Sequence, residues 1–353
     1  MPDYCSFMVF RRREIDLVQS ICTTAGWSTR SIHDPSEKFR FTESGIAEIC
    51  QPDYLDELGP LRAVEEHGRL LVLNENQGDA ANIIQLICAA NIILEGTAPQ
   101  YRYPQQGFEI PCVPAERDEI FERVFRTEAF YGVFLHRETL PVAVAIAAAA
   151  WSNSSIIYAI HKLAQSYMTE SVTPHSMHPR HGQTFAKHTS DFASHVGTSV
   201  AINLAYSAIQ ELGLDVRSSS RNPRWLDKRE FIWNPSVLAD LEDRLEESGI
   251  ERDRTIDWMI RGEKSEVEVH PLRPTLAEYS DGETIRDREL SLPDAINSCE
   301  YLRNFMTAHA FSSSTPRLGP YEVYNTQQVA RFLILSKCGL WNVWTEELRT
   351  RYG

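Results

Sequence analysis

The sequence lacks most features that assign a chain at sight. Its seven cysteines (Cys5, Cys22, Cys50, Cys88, Cys112, Cys299 and Cys338) are scattered, odd in number and without a C-x-x-C pair. That pattern fits neither a disulfide framework nor a thiolate zinc site, and predicts reduced thiols, several of them in the core. No apolar run is long enough to span a bilayer. The most apolar one, LPVAVAIAAAAW (140–151), is built largely of alanine and is followed at once by SNSS, so a buried helix is expected there. The opening MPDYCSFMVFRRREIDLV lacks the basic, long apolar and small-residue regions of a secretory signal, and a cytoplasmic protein with no membrane partner is expected. Repeats, a Gly-rich phosphate loop, a G-x-S-x-G elbow and a dinucleotide fingerprint are all missing, and nothing locates a Ser/His/Asp hydrolase. Positive charge is scarce as well. Lys and Arg number 35 against 49 Asp and Glu, a formal net charge of -14, which argues against a surface that binds nucleic acid everywhere. One local exception is RSSSRNPRWLDKRE (217–230), where Arg217, Arg221, Arg224, Lys228 and Arg229 outnumber Asp227 and Glu230. It reads either as a solvated loop or, beside a chemical site, as a substrate-binding patch.

What is present is enough apolar sequence, 42% of 353 residues, for one full core and more readily two. Residues 1–170 form an N-terminal region of mixed, mostly helical character. GDAANIIQLICAANIILEG and AERDEIFERVFRTEAFYGVF predict helices there, and GRLLVLNEN a strand. The apolar segment from 138 to 170 predicts one long or broken helix feeding the C-terminal half. Residues 171–353 read as a four-helix bundle, so the fold class is mainly α. In FASHVGTSVAINLAYSAIQELGL, Val196, Val200, Leu204, Ala208 and Leu212 form an i, i+4 stripe, with Gly213 as a stop. NPSVLADLEDRLEESGI starts at an Asn234 cap with Pro235 in the first turn; SLPDAINSCEYLRNFMTAHAF starts at Ser291; YNTQQVARFLILSKCGLWNVW closes the set. The polar stretch 251–291 reads as an extended connection.

The third of these helices carries Arg303, Asn304 and His309. An ideal wheel at about 100° per residue places Ile296, Cys299, Leu302 and Met306 on the apolar stripe. Arg303 and His309 then lie on opposite shoulders, about 120° apart, and Asn304 points away. A close Arg–His pair needs a loosened helix or a second copy packed about a twofold axis. The chemistry such a set suits is RNA cleavage by the 2′-hydroxyl. An imidazole moves protons near neutral pH, a guanidinium holds the developing phosphate charge, and Asn304 orients either group without any metal or other cofactor. The plainer alternative is a surface arginine and a core-edge histidine bonded to a carbonyl.

The segment LRNFMTAH (302–309) resembles the Arg, polar residue, His signature of the HEPN superfamily. The resemblance covers roughly 192–346, including LAYSAIQELGL and QQVARFLILSKCGLW, and places the motif on the third of four helices. It implies a small helical bundle that homodimerises. It also implies a metal-independent endoribonuclease of a toxin–antitoxin, CRISPR-associated or phage-defence kind, with Arg303, Asn304 and His309 catalytic at the dimer interface. RNA would be the substrate, tRNA or another structured RNA, and an antitoxin or trigger protein a further partner read by residues 1–170. One branch of the family has a Tyr two residues after the His, where this chain has Phe311, which disfavours the nucleotide-transferring toxin pair. Members that have lost catalysis serve as dimerisation or RNA-binding modules, and that is the alternative reading here.

Two further groups stand out. His175, His178, His181, His188 and His195 fall within 21 positions, but Pro179 interrupts the spacing and no Cys or acidic pair completes a metal site. A polar loop is expected instead, or one in which Arg180, His181 and Lys187 hold RNA phosphate. Glu211, late on the first bundle helix, is either a solvated glutamate or a supporting residue that pairs with Arg303 and fixes its fork.

Overall fold

The computed structural model of the chain describes residues 3–11, 15–32, 38–41, 47–50, 64–74, 76–96, 110–112, 140–170, 192–228, 230–261, 285–307 and 320–345. These residues are mainly helical. They belong to two compact units, Met1–Leu94 with Pro99–Ser152, and Glu95–Ala98 with Asn153–Gly353. The helix 115–134 expected from AERDEIFERV and the histidine loop 171–191 lie outside the described residues.

The first unit is built on β5 (Val64–Asn74), the longest of the described strands. One edge of β5 pairs antiparallel with β1 (Asp3–Arg11), from Tyr4 opposite Asn74 to Arg11 opposite His67. Its other edge pairs with β2 (Ser28–Ile32) at the Leu73 end and with β3 (Lys38–Phe41) at the Glu66 end. Beyond these, β4 (Ala47–Cys50) extends the sheet from β3, and β6 (Ile110–Cys112) extends it from β1. Three described helices complete the unit. α1 (Ile15–Thr24) buries Val18 and Cys22 and packs on α3 (Leu140–Ala150), whose alanines allow close approach. Trp27 and Trp151 meet edge to face at 5.9 Å. α2 (Asp79–Glu95) is apolar on every side, as a helix enclosed by protein must be, and is buried along nearly its whole length.

The apolar segment, described over 140–170, is a broken helix. Trp151–Asn153 interrupts it, and Asn153 caps α4 (Ser154–Thr169) by accepting from the N–H groups of Ser155 and Ile156. α4 belongs with the second unit, where it lies along α5 (Phe192–Glu211). Next come a small hairpin, β7 (Trp225–Asp227) with β8 (Ile232–Trp233), and α6 (Pro235–Glu247), capped by Asn234. The stretch read as an extended connection contains an antiparallel ribbon. β9 (Thr255–Arg261) pairs with β10 (Ile285–Ser291), which leads directly into α7 (Leu292–Tyr301), capped by Ser291. α8 (Pro320–Lys337) packs on α4, α5, α7 and β9.

α5 is the central helix of this unit, and its buried face shares only Ala208 and Leu212 with the stripe that the spacing suggested. Ala201, Ile202, Ala205, Tyr206, Ala208, Ile209 and Leu212 are buried, whereas Val196 is 62% and Val200 41% exposed. Small residues at 201, 205 and 208 let neighbouring helices approach, and the N-terminal valines fall outside that contact. Polar side chains tie the helices together. Ser166 donates to the Ala201 carbonyl at 2.7 Å and accepts from Gln327 at 3.0 Å, joining α4, α5 and α8. Asn325 bonds both the N–H and the carbonyl of Met259, each at 2.8 Å, and so fastens α8 to β9.

Candidate functional site

Arg303 and Asn304 lie where α7 changes its winding. Leu302–Thr307 is a π-helical turn. Bonding from i to i+5 widens the turn, so the ideal wheel used for the sequence no longer applies past Tyr301. Asn304 does not point away from the protein. Its Nδ2 donates back to Glu300 Oε1 at 3.1 Å, and its Oδ1 accepts from Arg303 Nη1 at 2.7 Å. The guanidinium of Arg303 is thereby held by its own neighbour, which is fixed in turn by Glu300.

Glu300 is buried, and Arg224 is the cation that compensates it. Arg224 Nη2 lies 2.5 Å from Glu300 Oε1, and Nη1 donates to Asn297 Oδ1 at 2.5 Å. The two charged side chains are only 16% and 10% exposed. Local chemistry explains how Arg224 gets there. The Asn234 N–H bonds the Arg224 carbonyl at 2.8 Å, and the Asn234 side chain donates to Asn222 and to the Pro223 carbonyl. The cap of α6 therefore also fixes the loop that carries the arginine. Trp233 packs tilted against Trp225 at 4.6 Å and donates through its indole N–H to Asp294 at 2.8 Å, pinning the hairpin to the first turn of α7.

Asp294, Asn297, Glu300 and Asn304 thus present one polar face along α7 and the π turn. Burial pushes the Glu300 carboxyl above its ordinary range, against the pull of Arg224, and Asp215 adds to the rise. Tyr206, on the facing helix α5, has its phenol pushed up by burial and by the Glu300 charge. The arrangement fixes one guanidinium at the end of a half-buried polar chain centred on buried Glu300: Arg224, Glu300, Asn304, Arg303. A planar fork held in this way suits an oxyanion such as phosphate.

The residues singled out from the sequence are thus partly brought together. Among the four basic candidates of the loop, Arg224 turns inward to the site, while Arg217, Arg221 and Lys228 are exposed. Of the two readings of Glu211, the pair with Arg303 does not form: Glu211 accepts from Lys162 at 2.6 Å, and the carboxylate behind the arginine is Glu300. His195 is buried on α5. His309, Phe311, Arg229 and the other loop histidines lie outside the described residues. Glu300 and Asn297 were missed, although N-x-x-E-x-x-x-N at helical spacing was a readable signal that the three share a face. The Arg224 partnership, across 73 and 76 positions, had none.

No group of three or more His, Cys, Asp or Glu among the described residues is placed to hold a metal ion, and no described helix is long and apolar enough to cross a membrane. Comparison with known protein families, characterised proteins and solved structures returned no match.

Proposed function

We propose that this chain is a metal-independent endoribonuclease of the HEPN type, with its site in a helical bundle of the second unit that works as a homodimer, in a toxin or phage-defence context. The observation that carries the reading is the chain of bonds behind Arg303. A guanidinium oriented by Asn304 and backed by the Glu300–Arg224 pair is a preorganised anion clamp, which costs little to reorganise when charge develops on a phosphate. That it sits on a π turn agrees, since such turns recur at functional sites.

In this mechanism Arg303 neutralises the phosphate as the 2′-hydroxyl attacks. His309, two positions beyond the π turn, moves the proton between the attacking and leaving oxygens, and Asn304 keeps the fork in register. Arg217, Arg221 and Lys228 would steer a structured RNA such as tRNA by its phosphates, and Arg224 acts as a positioning residue. The competing reading, a dimerisation or RNA-binding module without catalysis, draws on the exposed pair Val196 and Val200 on α5, an apolar step suited to an interface.

The test is cleavage of purified tRNA and of total cellular RNA by the pure protein in excess EDTA, beside His309→Ala and Arg303→Ala. Cleavage that survives chelation and is lost in both variants is the expected result. Cleavage retained in both variants would overturn the site. A folded dimer that binds RNA and never cuts it would favour the silent module.

A further inference from the structure

Past the ends of α6 and α8 the chain turns on two glycines of positive φ, Gly249 at 77° and Gly339 at 71°. These turns border a cavity of about 220 Å³ that the ribonuclease reading does not use. Arg254, in the turn before β9, lies over the Phe332 ring with its guanidinium carbon 5.2 Å from the centroid. Trp341 meets the same ring edge-on at 4.8 Å. All three line the cavity, together with Ser336, Asn342 and Glu251.

The charge balance points to what would fill it. Neighbouring Arg252 is ringed by Glu242, Asp243 and Glu246. Arg254 has no such partner: among the described residues its guanidinium meets no carboxylate, and its Nε is shut off from solvent without an acceptor. Lys337, whose Nζ bonds the Ser248 hydroxyl at 3.1 Å, adds a second cation near the end of α6. A half-buried guanidinium without a counter-ion is costly, and an aromatic face compensates it only in part. The C-terminal ends of α6 and α8 would ordinarily repel an anion. Here the glycine turns bond the terminal carbonyls: Gly249 and Ile250 donate to Glu246 and Leu245, and Gly339 and Leu340 to Ser336 and Leu335. The cavity is smaller than the roughly 300–1,000 Å³ that drug-sized ligands occupy, so it suits a single ring with one acidic group.

We infer that this cavity binds a small aromatic phosphate, its ring against Trp341 and its phosphate on the Arg254 fork. Glu251, exposed at the rim, opposes the anion and sets the charge limit of the site. The inference stands apart from the ribonuclease reading, because none of these residues belongs to the Arg303 chain.

The experiment is calorimetric titration of the full chain with phenyl phosphate as the minimal probe, beside inorganic phosphate and phenol. Saturable binding of phenyl phosphate is expected, with each fragment at least tenfold weaker. Arg254→Gln and Trp341→Ala should each weaken it about tenfold, Arg254→Lys should keep part of it, and Glu251→Gln should tighten it. UMP, whose base is a single ring, as a competitor separates the sources: displacement by UMP but not by ribose 5-phosphate assigns the ring to a nucleobase, and failure to displace assigns it to a smaller aromatic ester. Absence of saturable binding overturns the proposal. So does binding that Arg254→Gln and Asn342→Ala, made in proteins with unchanged melting curves, both leave untouched.

Discussion

Replacing Arg224 by Met keeps the length and apolar stem of the side chain while removing the cation from Glu300. The ion pair is 2.5 Å long between side chains that are 16% and 10% exposed, so water cannot take over the charge. Removing one partner of a buried pair costs roughly 3–5 kcal/mol, and the lost bond to Asn297 is contained in that range rather than added to it. Glu300 has a partial escape: burial already holds its carboxyl above the ordinary value of 4.5, and losing Arg224 raises it further. Protonation then relieves the buried charge. A group whose folded pKa lies above its unfolded one binds protons better when folded, so stability falls as pH rises above 4.5 through the folded value. The loss in Arg224→Met should therefore be about 3 kcal/mol or more at pH 8 and clearly smaller at pH 5. At about 2–4 °C per kcal/mol for a unit of this size, the pH 8 loss corresponds to roughly 6–12 °C in melting temperature. Guanidinium unfolding followed by circular dichroism at both pH values measures it. The double variant Arg224→Met/Glu300→Gln should recover about 2 kcal/mol relative to the sum of the single changes. Additive single effects, or a loss independent of pH, would refute the argument that Arg224 is there to neutralise Glu300.

Asn325→Ala strands the N–H and carbonyl of Met259 inside the protein, and should cost about 2–3 kcal/mol by chemical denaturation, with hydrogen exchange rising along β9. Gly339→Ala meets no atom within 4 Å, so its expected loss of about 1–2 kcal/mol is the backbone cost of a positive φ alone. Burial lowers the His161 pKa from 6.5, so the stability tied to its neutral form is present above 6.5 and lost as pH falls through the folded value. His161→Gln should accordingly flatten the acid limb of the stability profile below pH 6.5. Burial raises the Cys22 thiol to about 12 and those of Cys88 and Cys299 further, so a thiol reagent at pH 8 should label these three only as fast as the protein unfolds, and the half-buried Cys338 ahead of them.

Helix ends were readable because the chemistry that makes them is local. Asn234 before Pro235, Ser291 before Pro293 and Gly213 after Leu212 each act within a turn of the chain, and each marks an observed terminus. Strands fared worse. WMIR and the charged IRDRELS pair across a segment of more than twenty residues, and a polar sequence offers little to distinguish such a ribbon from a loop. The α5 stripe misled for a different reason. Its valines satisfy the period of a helix face, but alanine and isoleucine on the adjacent face allow the closer packing. At the site, the Arg-Asn pair stood out from its residue types, whereas its geometry depends on a π turn that no periodicity announces.

The sequence by itself determined where helices start and stop, which of them would be enclosed, that several of its thiols would lie in the core, and that Arg303 and Asn304 would sit together near the end of one helix. Those properties follow from side chains interacting with their own backbone or with water. Tertiary structure alone decided that Arg224 crosses to Glu300, that Glu211 serves Lys162, and that Arg254 lies over an aromatic ring with no carboxylate partner among the described residues. A charge finds its partner only when packing has removed the water between candidates, and which candidates remain depends on residues far apart in the chain.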